Sequence, residues 1–146
     1  MKVQSHQEKR IAIAKDVVRR LRYLRIKANN TYVSNVDRVF SVDDIGKEMS
    51  PRVCKLEKNC DVCALGGMFL SHLRLFNNFT YNMYGINRTR ITLDALNEYF
   101  SSDQLNLIEE CFEYPPFDSK YQKQHPKTRL RMIMLNIIKN KGTFEP

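Results

Sequence analysis

The sequence lacks the features that mark membrane proteins and secreted proteins. None of its apolar runs approaches the ~20 residues that a membrane-spanning helix needs. The N-terminus has no apolar core of the kind that a signal peptide carries, and no repeat, low-complexity tract or interdomain linker interrupts the chain. We therefore predict one cytoplasmic domain over residues 1–146, without a membrane partner and with its four cysteines reduced.

The sequence also lacks a recognisable catalytic constellation. A nucleophile needs an adjacent general base, and that base needs a group that orients it. His72 lies in the middle of the most apolar segment, where the sequence defines no such partner for it, so we interpret it as a core residue. These observations predict a protein that is not an enzyme, with no catalytic residue and no cofactor.

Basic residues are absent from one long segment and concentrated in two others. Residues 92–119 carry seven acids and no Lys or Arg, whereas residues 1–30 carry nine bases against two acids and residues 120–146 carry seven against one. If the basic segments pack against the acidic one, their charges neutralise each other. If the basic segments instead share an exposed face, nucleic acid, a nucleotide or an acidic protein is the expected partner. Arg19 and Arg22 are our candidate binding residues in the first segment.

Apolar residues recur at helical spacing in several parts of the chain. The pattern predicts a first helix from about His6 to Lys27, two short helices that begin near Thr92 and Ser101, and a last helix that begins at Pro126. Residues 31–58 have a mixed pattern, which predicts a minor short β-ribbon or an irregular segment. The predicted fold class is mainly α, a single-domain bundle of about five helices with that minor segment.

A central helix from Asn59 to Phe79 is the element around which we expect the bundle to form. Its small and polar residues share one face opposite an apolar arc, and they are Cys60, Cys63, Gly67, Ser71, Arg74 and Asn78. This face suits either a tight helix crossing or the floor of a pocket in which Arg74 meets an anionic group. Packing is the favoured interpretation; if the face binds a ligand or partner, the candidate residues are Gly67, Ser71, Arg74 and Asn78.

The connection after this helix alternates aromatic residues with cations. Tyr81 and Tyr84 precede Arg88 and Arg90 in it. Aromatic rings stack on nucleobases, and guanidinium groups bind phosphate. Arg88 and Arg90 are therefore further candidate binding residues.

Three cysteines form a C-x5-C-x2-C arrangement, namely Cys54, Cys60 and Cys63. With His72 or Cys111 as a fourth ligand they offer a zinc site, because thiolates two residues apart can converge on one metal. A helix N-terminus at Cys60 and Cys63 would also suit a thiol-dependent protein, since the helix dipole stabilises a thiolate. The third interpretation, which we favour, treats the cysteines as small apolar residues in helix packing.

Three strings of the sequence are informative together: Cys60-x-Val62-Cys63-Ala64-x-Gly66, the string Ile13-Ala-Lys-Asp16-Val, and the ending Asn136-Ile-Ile-Lys-Asn140-x-Gly142-x-Phe144-x-Pro146. In these strings the chain resembles a group of small uncharacterised proteins encoded by bacteriophages and bacterial mobile elements. The resemblance implies a bacterial host cell and binding to a host factor, including components of antiviral defence. It transfers no catalytic residue.

The leading functional prediction is a non-enzymatic, phage-type binding protein that engages a host macromolecule, such as a host protein, or an anionic nucleotide signal. Inhibition of a host defence system is one action that the resemblance implies. Two alternatives stay open. One is a basic nucleic-acid-binding regulator that uses both terminal helices, and the other is a zinc or thiol-dependent protein centred on Cys60 and Cys63.

Overall fold

The apolar periodicity of the sequence becomes a set of α-helices in the computed structural model, which describes residues 4–76, 80–81 and 90–146. The helices are α1 (His6–Arg20), α2 (Val53–Asn59), α3 (Ala64–Leu75), α4 (Arg90–Asn97), α5 (Ser102–Glu113) and α6 (Pro126–Lys139). The prediction of a mainly helical single domain is confirmed. None of the helices in these described ranges is long and apolar enough to cross a membrane.

Two helices begin where a serine caps them. The Ser5 hydroxyl accepts a hydrogen bond from the backbone N–H of Glu8 at the start of α1, over 3.1 Å. Ser101 accepts one from the N–H of Gln104 at the start of α5, also over 3.1 Å. Each serine satisfies a backbone donor that the first helical turn leaves without a partner, so the local sequence fixes where these helices begin.

The minor β-structure lies mainly at the borders of residues 31–58, and within them Val33 forms an isolated antiparallel bridge with Val62. Its strands β1 (Arg25–Ile26) and β2 (Asp61–Val62) pair in parallel. Between the strands the chain makes short 3-10 turns before it enters α2. The apolar side chains of Val33, Val36 and Phe40 are buried there.

The central helix begins later than we predicted. Cys60 has an extended backbone and ends α2, residues 61–62 form β2, and α3 starts only at Ala64. Cys60 therefore does not share a helix with Gly67, and the prediction that it does is wrong. Residues 61–62 are extended because they pair with β1. A helical wheel considers only spacing along one segment, so it does not include this pairing with a distant strand. Every residue of α3 up to Leu73 is buried, so the helix is surrounded by the rest of the protein.

Helices α1 and α6 pack side by side and antiparallel. At one end, the Arg10 Nε donates to the Gly142 carbonyl and the Gln7 side chain donates to the Lys141 carbonyl, each over 2.9 Å. At the other end, Leu24, which follows α1 and its 3-10 turn, and Leu130 of α6 both have side-chain carbons beside Gly67 of α3. The second half of α1 thus lies beside the first half of α6.

A buried ionic cluster joins the first three helices. The Arg74 guanidinium of α3 binds the carboxylates of Asp16 in α1 and Glu57 in α2. Arg20 adds a contact of 2.5 Å to Glu57. The side chains of Asp16 and Glu57 are only 5% and 3% exposed, so each carboxylate depends on these partners for its stabilisation.

Replacement of Arg74 tests this cluster. We expect Arg74→Ala to lower the free energy of unfolding by about 3 kcal/mol, because it leaves two buried carboxylates with too few partners. Urea denaturation measures the change. The control is Arg22→Ala, an exposed position whose replacement should cost less than about 0.5 kcal/mol. Equal effects of the two substitutions would contradict the assigned role of the cluster.

Candidate nucleic-acid interface

The small-residue face of the central helix packs inside the protein. Gly67 and Ser71 are buried. The anionic groups that Arg74 meets are the chain's own carboxylates at Asp16 and Glu57. Gly67 and Ser71 therefore face the protein interior, Arg74 is partly exposed, and the role of this face in ligand binding stays a prediction.

The structure describes only one of the other three binding residues that we predicted in the predicted central helix and the connection after it. Asn78 and Arg88 lie outside the described residues. Arg90 is the first residue of α4. These three positions stay predictions.

The tight backbone approach on α3 occurs at Gly66. A Cβ atom added to Gly66 would lie 1.7 Å from the carbonyl oxygen of Tyr32, a backbone atom that cannot turn aside. The same carbonyl accepts a hydrogen bond from the Cys63 N–H over 3.2 Å. A Cβ added to Gly67 would meet only side-chain carbons at 3.9 Å, which is ordinary contact. We predicted this close approach at Gly67, one residue further along. The partner is the Tyr32 backbone, which lies in an irregular segment, so helical spacing in the sequence could not indicate it.

The two glycines form a matched pair for mutagenesis. Gly66→Ala should destabilise the fold by about 2 kcal/mol or more, since the Tyr32 backbone must move. Gly67→Ala has room for its methyl group and should stabilise by up to about 1 kcal/mol through helix propensity. Thermal or urea unfolding of both variants measures the difference. The assignment fails if Gly67→Ala is the more damaging change.

His72 is a core residue on α3. It is fully buried, and its ring lies 5.4 Å from the Tyr99 ring and 6.3 Å from the Phe69 ring, between centroids. Burial lowers the pKa of His72 to about 4 from 6.5. The imidazole is therefore neutral at pH 7.

The depressed pKa of His72 predicts a pH dependence of stability. Between pH 6.5 and about 4 the unfolded chain holds a proton at His72 that the folded chain excludes. The free energy of unfolding should consequently fall as the pH is lowered through this window, by up to about 1.4 kcal/mol per pH unit, and be independent of His72 above it. The variant His72→Phe removes this contribution while it retains an aromatic ring. Parallel pH profiles for wild type and variant would contradict the prediction.

The four cysteines do not converge on one site. Cys54 is exposed on α2, whereas the other three are buried. Burial raises the pKa of Cys60 to about 11, that of Cys63 to about 12 and that of Cys111 to about 11. These thiols are protonated at neutral pH, which is the opposite of what a thiolate nucleophile requires. In the part of the chain that the structure describes, no three His, Cys, Asp or Glu side chains are placed to hold a metal ion.

A cavity of about 470 Å³ lies between α5, the loop that follows it and the C-terminal residue. Its walls are mostly apolar, and they include Leu107, Cys111, Tyr114, Pro116, Tyr121 and Pro146. Lys120 is the one cation among its lining residues. Such a site does not provide the converging cations that a nucleotide phosphate requires.

Exposed cations occur on the second half of α1, in the turn that follows it and on the first half of α6. We call these residues the basic face, namely Lys15, Arg19, Arg22, Lys127 and Arg131. Between Lys15 and Arg22 the one acidic residue is Asp16, and its side chain is buried against Arg74. Helix α6 contains no acidic residue. The positive charge of the basic face is therefore not neutralised by either of its own helices.

The structure brings two sequence-predicted residues into this face and adds others. Arg19 and Arg22 were predicted as binding residues from the charge of the first segment. Lys127 and Arg131 were missed, because their position beside α1 depends on the antiparallel packing of two helices that are far apart in sequence. The clustering of bases at both ends of the chain was the signal that pointed to them.

Comparison of the chain with protein-family models, curated proteins and solved structures finds no match. The resemblance to small bacteriophage proteins stays a prediction.

Proposed function

We propose that this protein is a non-enzymatic binding protein that engages nucleic acid through its basic face. The observation that carries the proposal is the side-by-side packing of the two basic helices, with their cations exposed and the acid of the α1 stretch buried. A surface with unopposed Lys and Arg attracts the phosphate backbone, which supplies most of non-specific nucleic-acid affinity. The resemblance to bacteriophage proteins supports a bacterial cell as the setting.

The arrangement of the cations favours an extended polyanion over a single nucleotide. Lys15 and Arg22 are about 10 Å apart along α1 and the turn that follows it, and Lys127 and Arg131 are about 6 Å apart along α6. Each strand of a B-form duplex carries a phosphate about every 3.4 Å of the helix axis, so more than one phosphate fits along this length. A free nucleotide offers its charge at one point and would leave most of the basic face unused.

The salt dependence of binding tests the proposal. A labelled DNA strand of about 20 nucleotides and its duplex should both bind, with log affinity falling linearly with log salt concentration. The double variant Lys127→Gln, Arg131→Gln should reduce the magnitude of that slope by about 1.4 for the single strand, since each neutralised phosphate contributes about 0.7. Fluorescence anisotropy over a salt series measures both quantities.

The matched control is the double variant Lys139→Gln, Lys141→Gln. It removes the same charge at the other end of α6, beside the beginning of α1. We expect its slope to stay closer to that of the wild type. Absence of binding to either DNA at low salt, or equal slopes for the two double variants, would refute the proposed interface. Binding of an acidic protein in place of DNA would also overturn it.

A further inference from the structure

An exposed tyrosine adjoins the basic face directly after α1. The chain continues from α1 into the 3-10 turn Leu21–Tyr23, and the Tyr23 side chain remains 47% exposed. Two guanidinium groups contact its ring. The Cζ of Arg20 lies 4.4 Å from the ring centroid and the Cζ of Arg22 lies 4.8 Å from it.

The two arginines differ in how firmly they are held. Arg20 is fixed by Glu57, to which its Nε and Nη2 donate over 3.2 and 2.5 Å. Glu57 is itself buried and bound to Arg74. Arg20 is therefore a rigid support, and its contact with Tyr23 fixes the ring in place before any ligand arrives.

Arg22 is exposed, and among the described residues no carboxylate lies within ion-pair distance of it. Its guanidinium can leave the Tyr23 ring for a phosphate without breaking an ion pair. A planar group that replaces it on the ring regains the stacking contact. Tyr23 thus provides an aromatic surface beside an exposed cation without an ion pair, which is the combination that binds a base and its phosphate together.

We infer that Tyr23 is a stacking platform for an unpaired nucleobase and that single-stranded nucleic acid is the class of ligand that the basic face prefers. This inference rests on the proposed function and specifies its ligand. A duplex presents phosphates to the same cations, but its bases are already stacked on one another and do not reach Tyr23. A single strand offers both its phosphates and the faces of its bases.

The first test compares a mixed-sequence DNA strand of about 20 nucleotides with the same strand annealed to its complement. Tyr23→Leu should weaken binding of the single strand by about tenfold or more, as loss of base stacking does, and change binding of the duplex by less than about twofold. Phe117→Leu is the matched control, since Phe117 is an exposed aromatic residue in the loop after α5. It should change neither affinity. Urea unfolding of both variants verifies that they are folded.

A second test uses the absence of tryptophan from the chain. The variant Tyr23→Trp introduces a single indole at the platform. Saturation with the single strand should quench its fluorescence, because a stacked base quenches indole emission. An abasic strand of the same length, which retains the phosphates, should bind more weakly and leave the emission nearly unchanged.

The outcomes separate the two proposals. Preference for the single strand, its loss in Tyr23→Leu and quenching in Tyr23→Trp support the stacking platform. If both DNA forms bind the wild type and Tyr23→Leu equally, and the indole emission is unaffected, the platform is refuted while the basic face stands. If neither DNA form binds any variant at low salt, the proposed function fails and the platform fails with it.

Discussion

The buried contact of Arg74 with Asp16 and Glu57 couples the packing of the first three helices. It joins α1, α2 and α3 at one point and so determines how the first helix lies on the core. It also removes the Asp16 carboxylate from the surface of α1, which leaves the exposed side of that helix positive. Through Glu57 it holds Arg20, and through Arg20 it orients Tyr23. One internal ionic cluster therefore determines both the charge of the basic face and the position of the aromatic ring beside it.

We expect the ionic cluster to contribute more to the relative placement of α1, α2 and α3 than to the net free energy of unfolding. Burial of two carboxylates carries a large desolvation cost, and ion pairing offsets that cost only when every charge has well-placed partners. Glu57 meets this condition because two guanidinium groups share it, and Asp16 meets it through Arg74. Any shift of α1 along α3 would separate charges that the protein interior cannot solvate. We therefore expect the ionic contacts to act together with the apolar packing of α3 in defining the alignment of the helices.

The sequence was informative wherever structure depends on neighbours along the chain. The period of Leu130, Ile133, Met134 and Ile137 predicted α6, and Gly142, with a φ of +100°, follows its end as expected. The start of the central helix was predicted wrongly, because residues 61–62 pair with a strand more than thirty residues earlier. The close approach at Gly66 and the role of Arg74 were missed for the same reason. Each depends on a partner, Tyr32 in one case and Asp16 with Glu57 in the other, whose proximity is created by the tertiary fold.

The titratable groups of the core bear on what kind of function this fold supports. Active sites commonly shift a pKa by placing a specific charged partner beside a group in an accessible cleft. Here the dominant cause of the shifts at His72, Cys60, Cys63 and Cys111 is burial, and it favours the neutral form of each group. Neutral buried groups are well suited to packing and poorly suited to proton transfer or nucleophilic attack at neutral pH. Among the described residues, exposed cations lie instead on α1, on the turn after it and on α6, and the proposed binding of nucleic acid depends on these groups.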